Sequence, residues 1–335
     1  MVKWCGLFVW FWDFALKQKK TREKHGSPSW FHSDTIGVGL QPWTEFELIR
    51  SAIASCPLIS MDTEFPGVVF KSNLDFREPE NSYAVMKANV ECLHLIQVGL
   101  TLSHYEGNLP SFESCQHFIW EFNFREFNVA HHLHAPESIA LLQHQGIDFE
   151  KNQKFGVDIV RFVELLMSSG MLCNNAIEWV TFQGVYDFGY LLKTLIYRFL
   201  PTQQLMPMNL SHFIKLVKYF FRGPIYDVKH LMKFCPNLYG GLDRVCDLLR
   251  LYRAVGRSHQ AGSDSLLTLH AFNKIKNIYF SENSHSHIET YKDVLYGLEL
   301  YWFLPSLLTA IHMKIFSFYF SFLSFLSFFI TRAES

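Results

Sequence analysis

The sequence predicts an α/β fold in which a mixed five-stranded sheet is surrounded by helices. Three observations predict it. Short apolar runs bounded by turn residues recur along the chain and read as buried strands. The first three come in succession and the last two are separated by helical stretches, which is the pattern of a mixed sheet with helices packed on it. The hydrophobic fraction of the 335 residues, 49%, is ample for one such core.

The elements follow in order. Thr44-Glu45-Phe46-Glu47 has the form of a capping box and predicts a helix to about Cys56. Pro57-Leu58-Ile59 leads into Ser60-Met61-Asp62-Thr63-Glu64, and Pro66-Gly67 ends the run, so residues 57–64 read as a central strand followed by a turn. A loop over 66–80 and a helix over 81–92 come next. His94–Leu100 and Phe118–Phe124 read as strands two and three, with the polar Gly107-Asn108 region between them suiting a hairpin. From Pro136 the period becomes helical, with Pro136 at a first helical position and Glu137 at the positive end of the helix dipole. A helix over Asp158–Ser169 closes at Gly170. Ile177–Phe182 reads as strand four, Tyr186–Arg198 and 211–221 as helices, and Pro224–Asp227 as strand five. Helices are expected at about 228–235, 242–252 and 263–279. No internal repeat is present.

This reading sets the domain plan. Residues 1–43 read as a divergent, flexible lead-in, 44–280 as the α/β domain, 281–300 as its polar extension, and 301–335 as a hydrophobic low-complexity tail. The apolar run Trp4–Trp12 is too short to span a bilayer, for which about 20 residues are needed, and no small-residue cleavage site follows it. Ile315–Ile330, rich in Phe, Ser and Leu, sits at the short edge of spanning length, so a tail anchor is the alternative to an appendage outside the domain. The seven cysteines form no C-x-x-C pair, which excludes a zinc ribbon and points to reduced thiols rather than a disulfide frame. A formal net charge of −1 excludes a general polyanion binder, so any nucleic-acid contact must come from a local patch.

Asp62 and Glu64 stand two apart on the first strand and therefore point to one face, with Met61 and Thr63 on the other. Taken alone, the pair reads most simply as a polar strand end in solvent. The functional alternative is a pair of hard oxygen ligands for divalent cations, and it needs further carboxylates elsewhere. Two segments offer them. Asp187 opens a helix directly after strand four, where an ordinary Asp stabilises the helix dipole. His259-Gln260-Ala261-Gly262-Ser263-Asp264 is a Gly-containing turn with a helix opening near Ser263 and Asp264, where the ordinary reading is a helix cap with a surface histidine.

Together these segments form a constellation: a D-x-E on a strand, an Asp opening a helix after a later strand, and a His-x4-Asp at the last helix. It resembles the His-containing branch of the DEDD superfamily of 3′-to-5′ exonucleases. Longer words narrow the resemblance: Met61–Phe70, Gly146–Phe149 with Lys151-Asn152, Tyr186–Leu191, Tyr226–Met232, Leu238–Asp243 and His259–Thr268 are similar to the Caf/Pop-type catalytic deadenylase subunit of the Ccr–Not complex, and to its plant members in particular. The similarity runs from about Glu45 to Lys276. Phe182-Gln183-Gly184 departs from it, standing where the family has a Phe-His-Ser-type sequence.

The resemblance implies an RNase H-like fold and a poly(A)-specific 3′-to-5′ exoribonuclease that releases 5′-AMP. It implies that Asp62, Glu64, Asp187 and Asp264 hold two divalent metal ions, Mg²⁺ or Mn²⁺, and that His259 is the general base. Two ions about 3.5–4 Å apart stabilise both the attacking and the leaving oxygen of a phosphodiester, and carboxylates suit them. The implied partners are the 3′ end of poly(A) RNA and, in the Ccr–Not complex, the scaffold and a second deadenylase subunit; no membrane partner is expected, and the implied location is cytoplasm and nucleus. From the residues themselves, nine basic side chains between Ser211 and Gln260 (Lys215, Lys218, Arg222, Lys229, Lys233, Arg244, Arg250, Arg253 and Arg257) face only Asp227, Asp243 and Asp247, which is either an RNA-facing patch or a solvated helical face. The clustered His131, His132 and His134 read as surface loop residues. The alternatives to a deadenylase are a catalytically weak adaptor, a 3′-exonuclease of different RNA preference, and a membrane-anchored nuclease.

Overall fold

A computed structural model describes residues 29–35, 41–72, 78–112, 116–199, 206–281 and 287–299. The chain divides into two units, Met1–Glu299 and Leu300–Ser335, and every described residue belongs to the first. The apolar runs Trp4–Trp12 and Ile315–Ile330 lie outside the described residues. No helix among the described residues is long and apolar enough to cross a membrane.

In chain order the elements are β1 (Ser29–Thr35), α1 (Gln41–Ala52), β2 (Leu58–Glu64), α2 (Pro79–Cys92), β3 (Gln97–Ser103), β4 (Gln116–Asn123), α3 (Pro136–His144), α4 (Phe149–Phe155), α5 (Ile159–Ser168), β5 (Glu178–Thr181), α6 (Val185–Phe199), α7 (Leu210–Phe220), β6 (Ile225–Asp227), α8 (Val228–Leu231) with a 3-10 turn at Met232–Phe234, α9 (Leu242–Leu248), α10 (Ala261–Tyr279) and a last 3-10 turn at Ile288–Tyr291. The strands lie in the order β1-β4-β3-β2-β5-β6. β2, β3 and β4 are antiparallel neighbours, and β5 and β6 continue the sheet in parallel from β2. The five expected strands are all present, with three antiparallel and two further ones. β2 and β3 are covered on both sides, which is why nearly every residue of both strands is buried, the polar Ser60 and Thr101 included.

Four local expectations change. The lead-in expected over 1–43 contains an edge strand, β1, which pairs in parallel with β4 from Ser29↔Gln116 to Thr35↔Phe122. Only a neighbouring open edge gives this short polar-aromatic run a ladder, so nothing local announced it. α1 begins at Gln41 with Pro42 in its first turn, so Thr44 is inside the helix; Glu47 accepts from Trp43 Nε1 (2.7 Å) and does not reach back as a capping box would. β3 starts three residues later than His94 and ends at Ser103, because Thr101 finds a buried partner in the Ser265 hydroxyl (2.8 Å) and so extends the strand through polar residues. The seven-residue α4, capped by Asp148 accepting from the Lys151 N–H (2.9 Å), is too short to show a period.

Helix α10 lies on one face of β2 and β3, and α6 packs on β2 from the other side. Trp120, Phe122, Phe124 and Phe162 with Phe46 fill the layer beneath α1 and α5. The stretch after Ser281 is tied to the sheet edge: Tyr226 bridges Val294, the Asp293 N–H donates to Ile225 O (2.7 Å), and Lys218 pairs with Asp293 (2.5 Å).

Candidate metal centre

The site grows from the pairing register of the sheet. Asp62 lies opposite Gly99, and Gly99 lies opposite Glu121; Glu64 lies opposite Gln97, and Gln97 opposite Asn123. Directly opposed residues share a face, so two rows of side chains cross the same side of the sheet. Helix α10 lands on these rows with its first turn. The space for it exists because Gly99 has no side chain: a Cβ there would lie 1.9 Å from the Ala261 carbonyl oxygen. Polar side chains receive the helix end. Glu121 accepts the Gly262 N–H (2.9 Å), and Gln97 accepts the Ala261 N–H (3.3 Å) while donating to Glu121 (3.2 Å). Ser60 Oγ donates to Ser265 O (2.7 Å). The Glu121 and Gln97 contacts satisfy helix N–H groups that have no partner within the helix, and together with the Ser60 contact they set Asp264, in the first turn, against β2.

Asp187 arrives from the opposite side. Thr63, which alternation places on the far face from Asp62 and Glu64, donates its hydroxyl to Asp187 Oδ1 (2.5 Å). The turn that delivers Asp187 is the departing Phe182-Gln183-Gly184 segment. Gln183 has φ 62°, and the Gln183 and Gly184 N–H groups both donate to the buried Asp227 carboxylate (2.9 and 3.1 Å). The departure from the family pattern therefore leaves the start of α6 held by backbone contacts.

His259 sits just before α10 with φ 59°, a left-handed conformation uncommon outside glycine. Its N–H donates to Asp264 Oδ2 (2.9 Å) and its Nδ1 lies 3.9 Å from Glu64 Oε1. One ligand atom from each of Glu64, His259 and Asp264 lies within 4.8 Å of the other two. The imidazole is 45% exposed, whereas Glu64, Asp187 and Asp264 are each under a tenth exposed.

All four carboxylates resist ionisation. Burial is the first cause for each. Asp62 is pushed well up by burial and then by the charges of Asp187, Asp264 and Glu64, and Glu64 by burial and then by Asp264, Asp187 and Glu121. Asp187 is pushed up to about 7 by burial and by Asp227, against the Thr63 hydrogen bond. Asp264 is raised by burial, with Arg253 opposing. Three segments, β2, the start of α6 and the turn into α10, thus bring Asp62, Glu64, Asp187, Asp264 and His259 into one electrostatic cluster, within which Glu64, His259 and Asp264 are close enough to share a cation. A buried set of mutually repelling oxygens with a single imidazole fits a hard divalent cation, which supplies the missing positive charge and takes oxygen ligands.

Several groups here were not picked out as site residues from the sequence. Thr63 and Glu121 orient two of the acids, and a hydroxyl between two carboxylates of a D-x-E was the available signal for the first. Arg253, one of the nine basic residues, is spent inside the site: its guanidinium donates to Asp264 (2.5 Å) and Asp243 (2.6 Å). Other members are also engaged internally. Lys218 binds Asp293, Lys229 the Gly240 carbonyl, Lys233 Glu299, and Arg244 the Tyr239 hydroxyl. His132 stacks on the half-buried His94 with ring centroids 3.9 Å apart and takes the Asn128 N–H on Nδ1, so this histidine group is a packed loop. Cys56, Cys92, Cys173, Cys235 and Cys246 are free thiols.

A mixed sheet with a buried acidic cluster at the end of its central strand is an arrangement suited to metal-assisted phosphodiester cleavage, and this is the class that the fold and site define. Residues 41–165 match the model of the CAF1 family ribonuclease. CCR4-associated factor 1 homolog 10 of Arabidopsis thaliana is 51% identical over 255 residues, spanning 76% of this chain and 88% of that protein. Poly(A) ribonuclease pop2 of Schizosaccharomyces pombe is 42% identical over 260 residues, spanning 76% of this chain and 71% of that one. The structure of S. pombe Pop2p in its Mg²⁺- and Mn²⁺-bound form superposes with a TM-score of 0.69 at 39% identity, covering 81% of this chain and all of that one. A chain in the structure of the yeast NOT1 MIF4G domain co-crystallized with CAF1 does so with a TM-score of 0.61 at 30% identity, covering 76% and 92%. The chain belongs to the CAF1 family of ribonucleases.

Proposed function

We propose that this protein shortens poly(A) tails as a 3′-to-5′ exoribonuclease, releasing 5′-AMP, within a Ccr–Not-type assembly. The observation that carries the reading is the convergence of Asp62, Glu64, Asp187 and Asp264 with His259 in a chain whose relatives are a poly(A) ribonuclease and a CCR4-associated factor. The four carboxylates would hold two divalent ions, Mg²⁺ or Mn²⁺, whose chemistry there is to neutralise the phosphate and activate water. His259 stands at the rim with its Nδ1 toward Glu64, which leaves Nε2 as the nitrogen that takes the proton of the attacking water. Thr63 fixes Asp187 and the α10 docking fixes Asp264, so the chain presents its ligands already ordered. The Pop2p structure with Mg²⁺ and Mn²⁺ supports the choice of ions, and the structure of the NOT1 MIF4G domain with CAF1 supports a NOT1-type scaffold as partner; a second deadenylase subunit is proposed from the family resemblance alone. The location proposed with this function is cytoplasm and nucleus.

The test is digestion of 5′-labelled oligo(A), oligo(U) and oligo(dA) side by side with Mg²⁺, with Mn²⁺ and with chelator. Stepwise, metal-dependent AMP release from oligo(A) is expected. Equal rates on all three substrates would remove the poly(A) assignment. Scaffold binding without any metal-dependent release would make the protein an adaptor.

A further inference from the structure

Arg253 reaches into the carboxylate cluster from the segment between α9 and α10. Its Nη1 donates to Asp264 Oδ1 (2.5 Å) and to Ser263 Oγ (2.7 Å), and its Nη2 donates to Asp243 Oδ1 (2.6 Å). The second oxygen of each carboxylate is taken by the loop that carries His259. Asp264 Oδ2 accepts the His259 N–H (2.9 Å), and Asp243 Oδ2 accepts the Ser258 hydroxyl (2.6 Å). A closed ring results, running Arg253, Asp264, His259, Ser258, Asp243 and back to Arg253. Two further contacts brace it: Ser263 Oγ donates to Val255 O (2.6 Å), and Arg253 Nη1 to Arg257 O (3.3 Å).

The ring has a physical task. A histidine at φ 59° is held in a sparsely populated conformation, which persists only where its surroundings over-determine it. The planar guanidinium can bridge two carboxylates at once in fixed directions, which an ammonium cannot. Asp243 is 57% exposed, and an ordinary surface ion pair at such a position contributes almost nothing. Here the exposed carboxylate closes the ring on which the turn depends.

We propose that Arg253 and Asp243 are positioning residues for the reaction, a clamp that holds the His259 turn onto Asp264 and so keeps the imidazole beside Glu64. The inference rests on the exonuclease reading for its kinetic consequence, while the clamp itself is a statement about the loop. Arg253 also donates to Asp264 Oδ1 and so helps to orient a carboxylate that would hold an ion.

The test uses the full chain with Asp243→Asn, Arg253→Lys and Arg253→Gln. Hydrogen–deuterium exchange over residues 254–262 is read first, then Mn²⁺ affinity by electron paramagnetic resonance, then kcat and KM on oligo(A). Asp243→Asn is expected to speed exchange of the His259 amide and to lower kcat on the order of tenfold, since small misplacements of a catalytic group cost rate steeply. KM and Mn²⁺ affinity stay within about twofold, because neither substrate nor ion contacts are removed. Arg253→Lys does not restore kcat. Wild-type exchange and kcat in Asp243→Asn, or full activity in Arg253→Lys, would overturn the clamp, and Asp243→Asn decides the matter even where Arg253→Gln fails to fold. A wild-type protein that releases no AMP with either metal would sink the exonuclease reading instead, and the exchange measurement would still decide the clamp.

Discussion

Asp62 and Glu64 are two residues apart, yet each is perturbed by carboxylates drawn from elsewhere in the chain. Their raised pKa values carry a stability cost with a definite sign. The folded metal-free protein binds more protons than the unfolded chain between the ordinary carboxylate range and the raised values, which for Asp187 reaches about 7. Stability therefore falls as pH rises through that window. Asp187→Asn should raise the melting temperature of chelator-treated protein at pH 7–8 by roughly 3 °C, a shift of the size expected for about 1 kcal/mol in a domain of this length. The gain should shrink toward pH 4, and a differential scanning fluorimetry series across pH checks it. His259 permits a cleaner separation. His259→Ala should keep most Mn²⁺ binding and lose about 10²–10⁴-fold in turnover, the usual range for a general base. Asp62→Ala should lose both, and wild-type hydrolysis of labelled oligo(A) by Asp62→Ala would remove the acid from the site. At this scale much was legible: strand alternation alone puts Asp62 and Glu64 on one face. Arg253 was not, because a lone arginine in a basic run has the same local signature whether it faces solvent or a buried acid.

The interface between β3 and α10 is the element on which the site depends. Gly99 faces the helix end at a separation no Cβ tolerates, and the Glu121 carboxylate caps the positive end of a 19-residue helix. Gly99→Ala should cost about 1–3 kcal/mol through overpacking and also lower activity, because the relief available is to lift Asp264 away from β2. A melting curve and an oligo(A) assay together check it; normal activity with normal stability would mean that the helix does not seat on Gly99. Glu121→Gln keeps the shape but removes the charge from the helix end, and a loss of about 1–2 kcal/mol in urea unfolding is expected. Strong elements such as α5, α6 and α7 were readable from the sequence, and the structure adds Asp158 and Asn209 as the side-chain caps of the first and third. The weak ones were not. β1 exists through its pairing with β4, α4 is a short capped helix of seven residues, and the start of α10 at Ala261 depends on Gln97 and Glu121 receiving its free N–H groups.

For the molecule as a whole, an ion held by the charge cluster would couple to folding, because it would offset the repulsion that the folded state concentrates. Mn²⁺ at about a hundred times its dissociation constant should stabilise the fold by about 2.7 kcal/mol, and chelator should reverse it. Thermal melts with and without Mn²⁺ measure this, and an unchanged melting temperature would argue against any ion at the site. Lys218, Lys229 and Arg253 are tied within the chain to Asp293, the Gly240 carbonyl and Asp264, which narrows the set of basic side chains left to meet phosphates. What the order of residues determined by itself was the class of fold, the face on which the first acidic pair stands and the set of residues to compare, because these follow from local periods and short motifs. What only the tertiary structure decided was that Asp187 reaches the cluster through Thr63, 124 residues away in sequence, and that Arg253 turns inward. The first depends on how α6 packs on the far face of β2 and the second on how α10 closes over Gly99, and no local pattern of side chains records either closure.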